Sequence, residues 1–279
     1  MKMKILNKLG RIAFYLCVIC LVIYSIGPII WMLLSSLRPK VEFFTIPPTF
    51  FPKTWTLENY YSLFRETPFV QFLLNSMWVS IGAILVSAVV GVMAAYSLAR
   101  FNYRGRNLFS IFSLFAYMLP SILLVIPLYL LAVKIQLVNK LQGLVWAYVA
   151  LTMPYCIWTL RSFFATLPTE LEEASFIDGC GRVSALIRVV LPMLIPAIIA
   201  VVVFTFQYVW NEYMFALVFI TSDANRTFPV GLESFVTSYD VYWEWILSGS
   251  ILVSIPAVIV FLLTQRSLIR GYGAGAIKG

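Results

Sequence analysis

The sequence predicts an all-α polytopic membrane protein with six transmembrane helices and both termini in the cytoplasm. Three observations carry that reading. The chain has 279 residues, 61% of them hydrophobic and 11% charged, with a mean hydropathy of +0.91. A soluble domain of this length cannot hide so much apolar surface. The apolar residues fall into six runs, at about 12–35, 73–98, 108–132, 142–163, 190–219 and 246–265. Each approaches the ~20 residues that a ~30 Å hydrocarbon core requires. Finally, the basic residues alternate between loops: 13 Lys and Arg fall on the side that holds both termini and 7 on the other. The positive-inside rule then sets the orientation.

Taken in order, the first run follows MKMKILNKLGR, which has the charge pattern of a signal n-region. No clear small-residue cleavage site follows, so it reads as a retained first span. The outer loop from Arg38 to Phe72 carries Pro47, Pro48, Pro52, Trp55, Tyr60 and Tyr61. It reads as an extended, surface-hugging connection. RFNYRGR, from Arg100, is a tight basic turn between the second and third spans. The fifth run is the longest, so it must tilt or protrude. The outer loop from Thr221 to Glu244 ends in YDVYWEW, aromatic rings suited to the headgroup level. Residues 1–70 thus hold the first span and outer loop, 71–266 the core, and 267–279 a tail ending GYGAGAIKG.

Composition also excludes chemistry. There is no histidine, so the commonest general base and metal ligand is missing. Cys17, Cys20, Cys156 and Cys180 make no metal or disulfide framework and read as filler. No catalytic residue and no metal site is expected. The net charge of +8 reflects basic residues at the ends of apolar runs, a topology signal rather than a nucleic-acid one. No phosphate-binding loop occurs, so no cofactor is expected on this chain.

The stretch from Glu170 to Pro192, ELEEASFIDGCGRVSALIRVVLP, interrupts the apolar pattern between the fourth and fifth runs. Glu170, Glu172, Glu173 and Asp178 crowd its first nine positions. Thr169 followed by Glu172 has capping-box spacing. Gly179 and Gly181 lie where a helix end favours positive φ. A short acidic helix is predicted, then a glycine break, then a second helix starting near Ser184. The acids of the first turn suit the macrodipole. Two readings stand side by side: a solvated amphipathic turn, or a docking knob. For docking, small Ala174, Ser175 and Gly179 allow close backbone approach, and the carboxylates pair with basic side chains of a partner.

Within the spans, the polar residues are the candidates for a solute path. Gln207 and Asn211 share a helix face at i and i+4, and Trp210, Glu212 and Tyr213 lie beside them. Glu212 is the one acid expected inside a span, where a carboxylate faces protein or a water-filled cavity. This group either lines a route for a hydroxyl-rich solute, with Trp210 or Tyr213 stacking on it, or fixes packing through interhelical hydrogen bonds. Asn75, paired with Gln71, and Tyr117, near Pro120 and Pro127, are weaker candidates of the same kind. A secondary transporter or channel would want buried acid–base pairs and inverted halves. An intramembrane enzyme would want a nucleophile with its base.

Glu173-Ala174-Ser175, Gly179, Val189, Leu191 and Pro192 fit the pattern E-A-A-x3-G-x9-I-x-L-P. Ser175 and Val189 are mild departures. That pattern resembles the cytoplasmic coupling motif of binding-protein-dependent ABC importer permeases, and WNEYMFAL is similar to their maltose-type carbohydrate branch. The resemblance spans roughly Gln71 to Arg266. It implies the type I permease fold in a bacterial or archaeal cell membrane. It further implies a second permease subunit as heterodimer partner, two ATP-binding subunits that use ATP and Mg, and an extracytoplasmic solute-binding protein that delivers a sugar. The ATPase would couple through Glu170, Glu172, Glu173, Ala174, Ser175, Asp178, Gly179, Leu191 and Pro192. In maltose-type permeases the loop between the last two spans reaches the binding protein. Here Asn225, Arg226, Phe228, Pro229 and Gly231 would fill that role, its Pro and Gly shaping a protruding tip. The AGAxKG-like tail would approach the ATPase dimer. The partners are thus protein subunits, sugar and membrane lipid, with no nucleic acid.

Overall fold

The structure is a computed structural model that describes residues 2–47 and 49–276, with side chains from 10 to 266. Its helices are α1 (Lys2–Ser36), α2 (Glu58–Glu66), α3 (Phe69–Arg100), α4 (Arg106–Met118), α5 (Val125–Lys134), α6 (Leu141–Thr166), α7 (Glu170–Ile177), α8 (Arg182–Ala185), α9 (Leu191–Trp210), α10 (Met214–Phe219), α11 (Phe228–Glu233) and α12 (Trp243–Ala276). A π-helical turn, Leu186–Val190, joins α8 to α9. Among the described residues the only β contact is one bridge, Val236 to Val241. Two compact units are present: residues 1–69 with 232–254, and residues 70–231 with 255–279.

In the first unit the outer loop departs from the expected extended connection. It contains a 3₁₀ turn, Lys40–Phe44, and α2. Buried polar side chains fold it. Arg38 donates to the carbonyls of Thr49 and Phe50, both at 3.2 Å, and its guanidinium lies 5.0 Å from the Trp31 ring. Glu42 accepts from the amides of Lys53 and Thr54, and Asn59 donates to the carbonyls of Ser36 and Arg38. Each supplies partners to backbone groups that no helix or sheet satisfies. Lys40 donates to Glu244 at 2.8 Å. Pro48, counted in this loop, lies outside the described residues.

The second unit carries four passes between two polar ends. At one end Asn75, near the start of α3, donates to the carbonyls of Ala224 and Arg226 at 2.8 and 2.9 Å. At the other, Arg100 at the end of α3 meets Glu172 of α7. The 25 helical steps from Asn75 to Arg100 rise ~38 Å, more than a hydrocarbon core. The chain then starts α4 at the α7 end, where Arg161 donates to Ser110. After α5 it reaches the opposite end, where the Asn139 amide donates to the Phe219 carbonyl and its side chain accepts from Thr221 and Ser222. Helix α6 returns, and α9 crosses again.

The third span is therefore one crossing, but not the continuous helix expected over 108–132. It breaks at Leu119–Pro120 and bends by 104° between its halves. Pro120 has no N–H to continue the ladder, and Leu119 before it is extended (φ −70°, ψ 131°). Counting the bent pair once gives six spans. The fifth is also interrupted: α9 ends at Trp210 and α10 starts at Met214. The core beside these breaks holds Val79, Leu144, Tyr148, Phe215 and Phe219. Spans α3 and α6 approach closely through small residues, as membrane helices do. A β-carbon on Gly91 would lie 3.2 Å from Cys156, and Ser87 hydrogen-bonds Thr152 at 3.0 Å.

Candidate functional site

The acidic segment forms α7, an eight-residue helix too short to be stable alone. Its anchor differs from the expected capping box. Thr169 has helical backbone angles (φ −71°, ψ −25°) and makes no side-chain cap. Glu172 turns inward instead and is 5% exposed. It accepts from Arg100 Nε at 2.5 Å and from the Tyr96 hydroxyl at 3.1 Å. A guanidinium and a phenol offer a carboxylate more than one backbone amide does. Arg100 also donates to the Leu167 carbonyl, and Ser175 to the Glu172 carbonyl. Glu172 and Ser175 therefore face inward.

Glu170, Glu173, Ala174, Ile177, Asp178 and Gly179 face outward, Ile177 at 87% exposure. The outer surface of α7 is thus mixed acidic and apolar. Gly179 sits at φ +86° with open space around it, the left-handed geometry that closes the helix. Gly181, expected alike, is extended at φ −73°. The second helix, expected near Ser184, starts at Arg182. Leu191 and Pro192 lie beyond the knob, at the start of α9. The π turn before them has a local cause. Pro192 cannot donate to the preceding turn, and the wider i→i+5 bond from Leu191 N–H to the Leu186 carbonyl accommodates its ring.

The expected solute-path residues separate into two groups. Trp210 is 2% exposed and packs between Phe206 and Phe228, so it presents no stacking face. Asn75 is equally buried, holding the 224–226 backbone, and with Asn225 and Lys140 it borders an open cleft of about 420 Å³. Glu212 accepts the Tyr148 hydroxyl at 2.7 Å and the Phe215 and Ala216 amides, fastening the start of α10. Tyr213 is half-buried against the surrounding core. Gln207 on α9 and Asn211 at its C-terminal cap are exposed, and Asn211 donates to the Gln207 carbonyl.

Beside those two amides lies an aromatic row that sequence reasoning assembled only in part. Phe204 and Tyr208 stand one turn apart, their rings stacked at 6.2 Å. Tyr155 of α6 stacks on Phe204 at 3.7 Å, and Tyr117 of α4 lies 5.7 Å from Tyr155. Tyr117 was expected in a solute path; Phe204 and Tyr208 were not. Their signal was spacing: 204, 207, 208 and 211 share one helical face.

The outer loop also departs from expectation. Asn225–Gly231 makes no protruding tip. Phe228 and Gly231 are buried, and a β-carbon on Gly231 would lie 2.1 Å from the Phe72 ring. FPVGLE forms α11, with Phe228 against Trp210. Arg226 pairs with Asp223 at 2.8 Å. The longest exposed run of the loop is 236–240, a turn in which Thr237 hydrogen-bonds Asp240 and Tyr239 is fully exposed.

Among the described residues, no group of His, Cys, Asp or Glu could hold a metal ion. Comparison with known proteins gives the family. The chain is 33% identical over 275 residues to the inner membrane ABC transporter permease protein YcjP of Escherichia coli, covering 98% of each chain. It is 35% identical to the trehalose/maltose transport system permease protein MalG of Thermococcus litoralis, over 97% of this chain and 98% of that one. The diacetylchitobiose uptake system permease protein DasC of Streptomyces coelicolor is 32% identical over 97% of this chain and 98% of its own. A crystal structure of a bacterial ABC transporter involved in the import of the acidic polysaccharide alginate matches with a TM-score of 0.80. It covers 93% of this chain and 96% of that chain at 20% identity, a likeness of fold. Residues 87–272 match the family model of the binding-protein-dependent transport system inner membrane component, and the chain belongs to that family.

Proposed function

We propose that this chain is one permease subunit of an ATP-driven importer of saccharides, coupled to its ATPase through the outer face of α7. The observation that carries the coupling role is that surface: Glu170, Glu173, Ala174 and Ile177 outward on a short helix whose inner side is bolted to α3 by Glu172 and Arg100. A rigid, charged and apolar knob closed by a positive-φ glycine suits docking into a cleft of a basic partner. Movement of the partner pushes α7, and the continuous run α8–π turn–α9 carries the push into the fifth span. That is rigid-body alternating access. Saccharide as substrate rests on the relatives, several of which are named for trehalose, maltose or diacetylchitobiose transport.

The partners in this reading are a second permease subunit, two ATP-binding subunits that hold ATP and Mg, and an extracytoplasmic binding protein. The α7 end faces the cytoplasm, in line with the basic residues it collects. A solved alginate transporter with a fold like this chain's carries a periplasmic protein. The exposed turn at 236–240, rather than the packed segment 225–231, is the part of the outer loop that reaches such a protein. Leu191 and Pro192 act at the root of the lever. Gln207 and Asn211 border the solute route, while Asn75, Trp210 and Glu212 hold its walls. The AGAxKG-like tail ends on Ile277–Gly279, outside the described residues. The test is reconstitution with the partner permease, ATPase and binding protein in proteoliposomes. Saccharide uptake that needs internal ATP supports the reading; uptake by this subunit alone, driven by an ion gradient, overturns it.

A further inference from the structure

We propose that the cleft between the end of α3 and the start of α4 binds an anionic phospholipid, its phosphate on Arg104 and its acyl chains along the apolar faces of the two helices. The cleft has a volume of about 410 Å³. That lies within the ~300–1,000 Å³ of small-molecule sites, room for a glycerophosphate headgroup. Its apolar lining comes from Ala94 and Leu98 of α3 and Phe109 of α4, its polar lining from Ser97, Tyr103 and Arg104, with no carboxylate among them. The arginines of this turn differ in what holds them. Arg100 is taken by Glu172 and the Leu167 carbonyl, and Arg106 donates to the Phe101 carbonyl. Arg104 is exposed and makes no hydrogen bond or ion pair among the described residues. It is the cation of the turn that is left for a ligand.

The chemistry matches a lipid in both its parts. A guanidinium forks onto phosphate oxygens, and basic clefts between membrane helices hold anionic headgroups. The Ser97 and Tyr103 hydroxyls are donors for the ester and phosphate oxygens beside it. Tyr103, 44% exposed, stands at the level where tyrosines anchor to the membrane interface. Below the headgroup, the lining faces continue toward the membrane centre. Val90 lies one turn before Ala94 on α3, and Phe112 one turn after Phe109 on α4. Both are exposed, Val90 at 44% and Phe112 at 69%. An acyl chain covers that surface, whereas a soluble phosphate uses the arginine and leaves the apolar lining idle. The charge and the apolar track together select an anionic lipid over either a soluble anion or a neutral lipid.

The test uses the full chain, purified with the subunits that accompany it and titrated with phosphatidylglycerol or phosphatidylcholine. Bound lipid is counted by native mass spectrometry. The wild-type protein is expected to retain phosphatidylglycerol in preference to phosphatidylcholine. Arg104→Ala is expected to weaken phosphatidylglycerol binding about fivefold, the share of one basic group at a membrane surface, and Arg104→Glu roughly tenfold or more. Arg104→Lys, which keeps the charge, is expected to keep most of the binding. Arg65→Ala removes an exposed arginine of α2 and is expected to leave it unchanged. A photoreactive side chain in place of Phe109 is expected to crosslink to lipid. Equal retention by Arg104→Glu, or an equal loss in Arg65→Ala, overturns the site. Displacement of the lipid by soluble glycerol phosphate overturns it in favour of a soluble anion. Crosslinking to another protein subunit overturns it in favour of a subunit interface.

Discussion

Removing Glu172 is expected to loosen α7 without removing any group from its outer face. The pair it makes with Arg100 is short, 2.5 Å, and enclosed, with side-chain exposures of 7% and 12%. Deleting one partner of such a pair costs about 3–5 kcal/mol, because the other is left buried without compensation. An eight-residue helix has little stability of its own to set against that. Glu172→Ala should therefore raise the opening equilibrium of residues 170–178 by a factor of ~10² or more. Glu172→Gln, which still accepts from Arg100 and Tyr96, should cost less, about 1.5–3 kcal/mol. Hydrogen exchange of the α7 amides in the assembled complex reads this directly. The double change Arg100→Met with Glu172→Met should lie closer to wild type than either single change, since no charge is then stranded. Additive effects of the two changes, or unaltered exchange in Glu172→Ala, would refute the latch.

Other expectations concern single positions. Gly231→Ala drives a β-carbon into the Phe72 ring and should destabilise by about 1–3 kcal/mol, seen as a lower unfolding temperature. Glu212→Ala strips the Tyr148 hydroxyl and two α10 amides of their acceptor and should cost about 1–3 kcal/mol by the same assay. Hydrogen bonding to Glu244, aided by Asp240 and Tyr242 and opposed by desolvation, raises the Lys40 pKa above its ordinary 10.5. Folding gains from that pair below pH 10.5 and loses the gain as pH rises through the raised value. Half-exposed Lys40 limits the effect, so Lys40→Met at pH 7 should cost no more than about 1 kcal/mol. Deleting 236–240 should reduce saccharide handover by the binding protein while the ATPase still co-purifies; unchanged uptake would remove that contact from the proposal.

What was legible in the sequence was whatever depends on composition and local spacing. Apolar runs locate spans, and the ELEEAS segment with Gly179 locates α7 and its positive-φ end. The breaks were hidden because hydropathy does not bend: SLFAYMLPSILLVIPLYLL stays apolar through Pro120, and only the proline marks the 104° turn. Asn211 and Glu212 similarly marked the end of α9, but their polarity read first as function. Glu172 was misplaced because its local spacing to Thr169 resembled a cap, while its partner Arg100 lies 72 residues away. FPVG reads as a turn from residue types alone; burial against Phe72 and Trp210 made it a helix. Phe204 and Tyr208 vanished into an apolar run although Gln207 and Asn211 already defined their face.

The central claim is that the outward face of α7 docks the ATPase. Glu173→Lys reverses an exposed charge at its centre, and Gly179→Val forces a β-branched residue to φ +86° with no clash in the free chain. The backbone term alone is ~1–2 kcal/mol. The decisive measurement is co-purification of the ATPase with each variant, read with ATP hydrolysis stimulated by the loaded binding protein. Normal membrane abundance with loss of the ATPase, or of its stimulation, is the predicted result. Full ATPase recovery and normal stimulation in both variants would contradict the account.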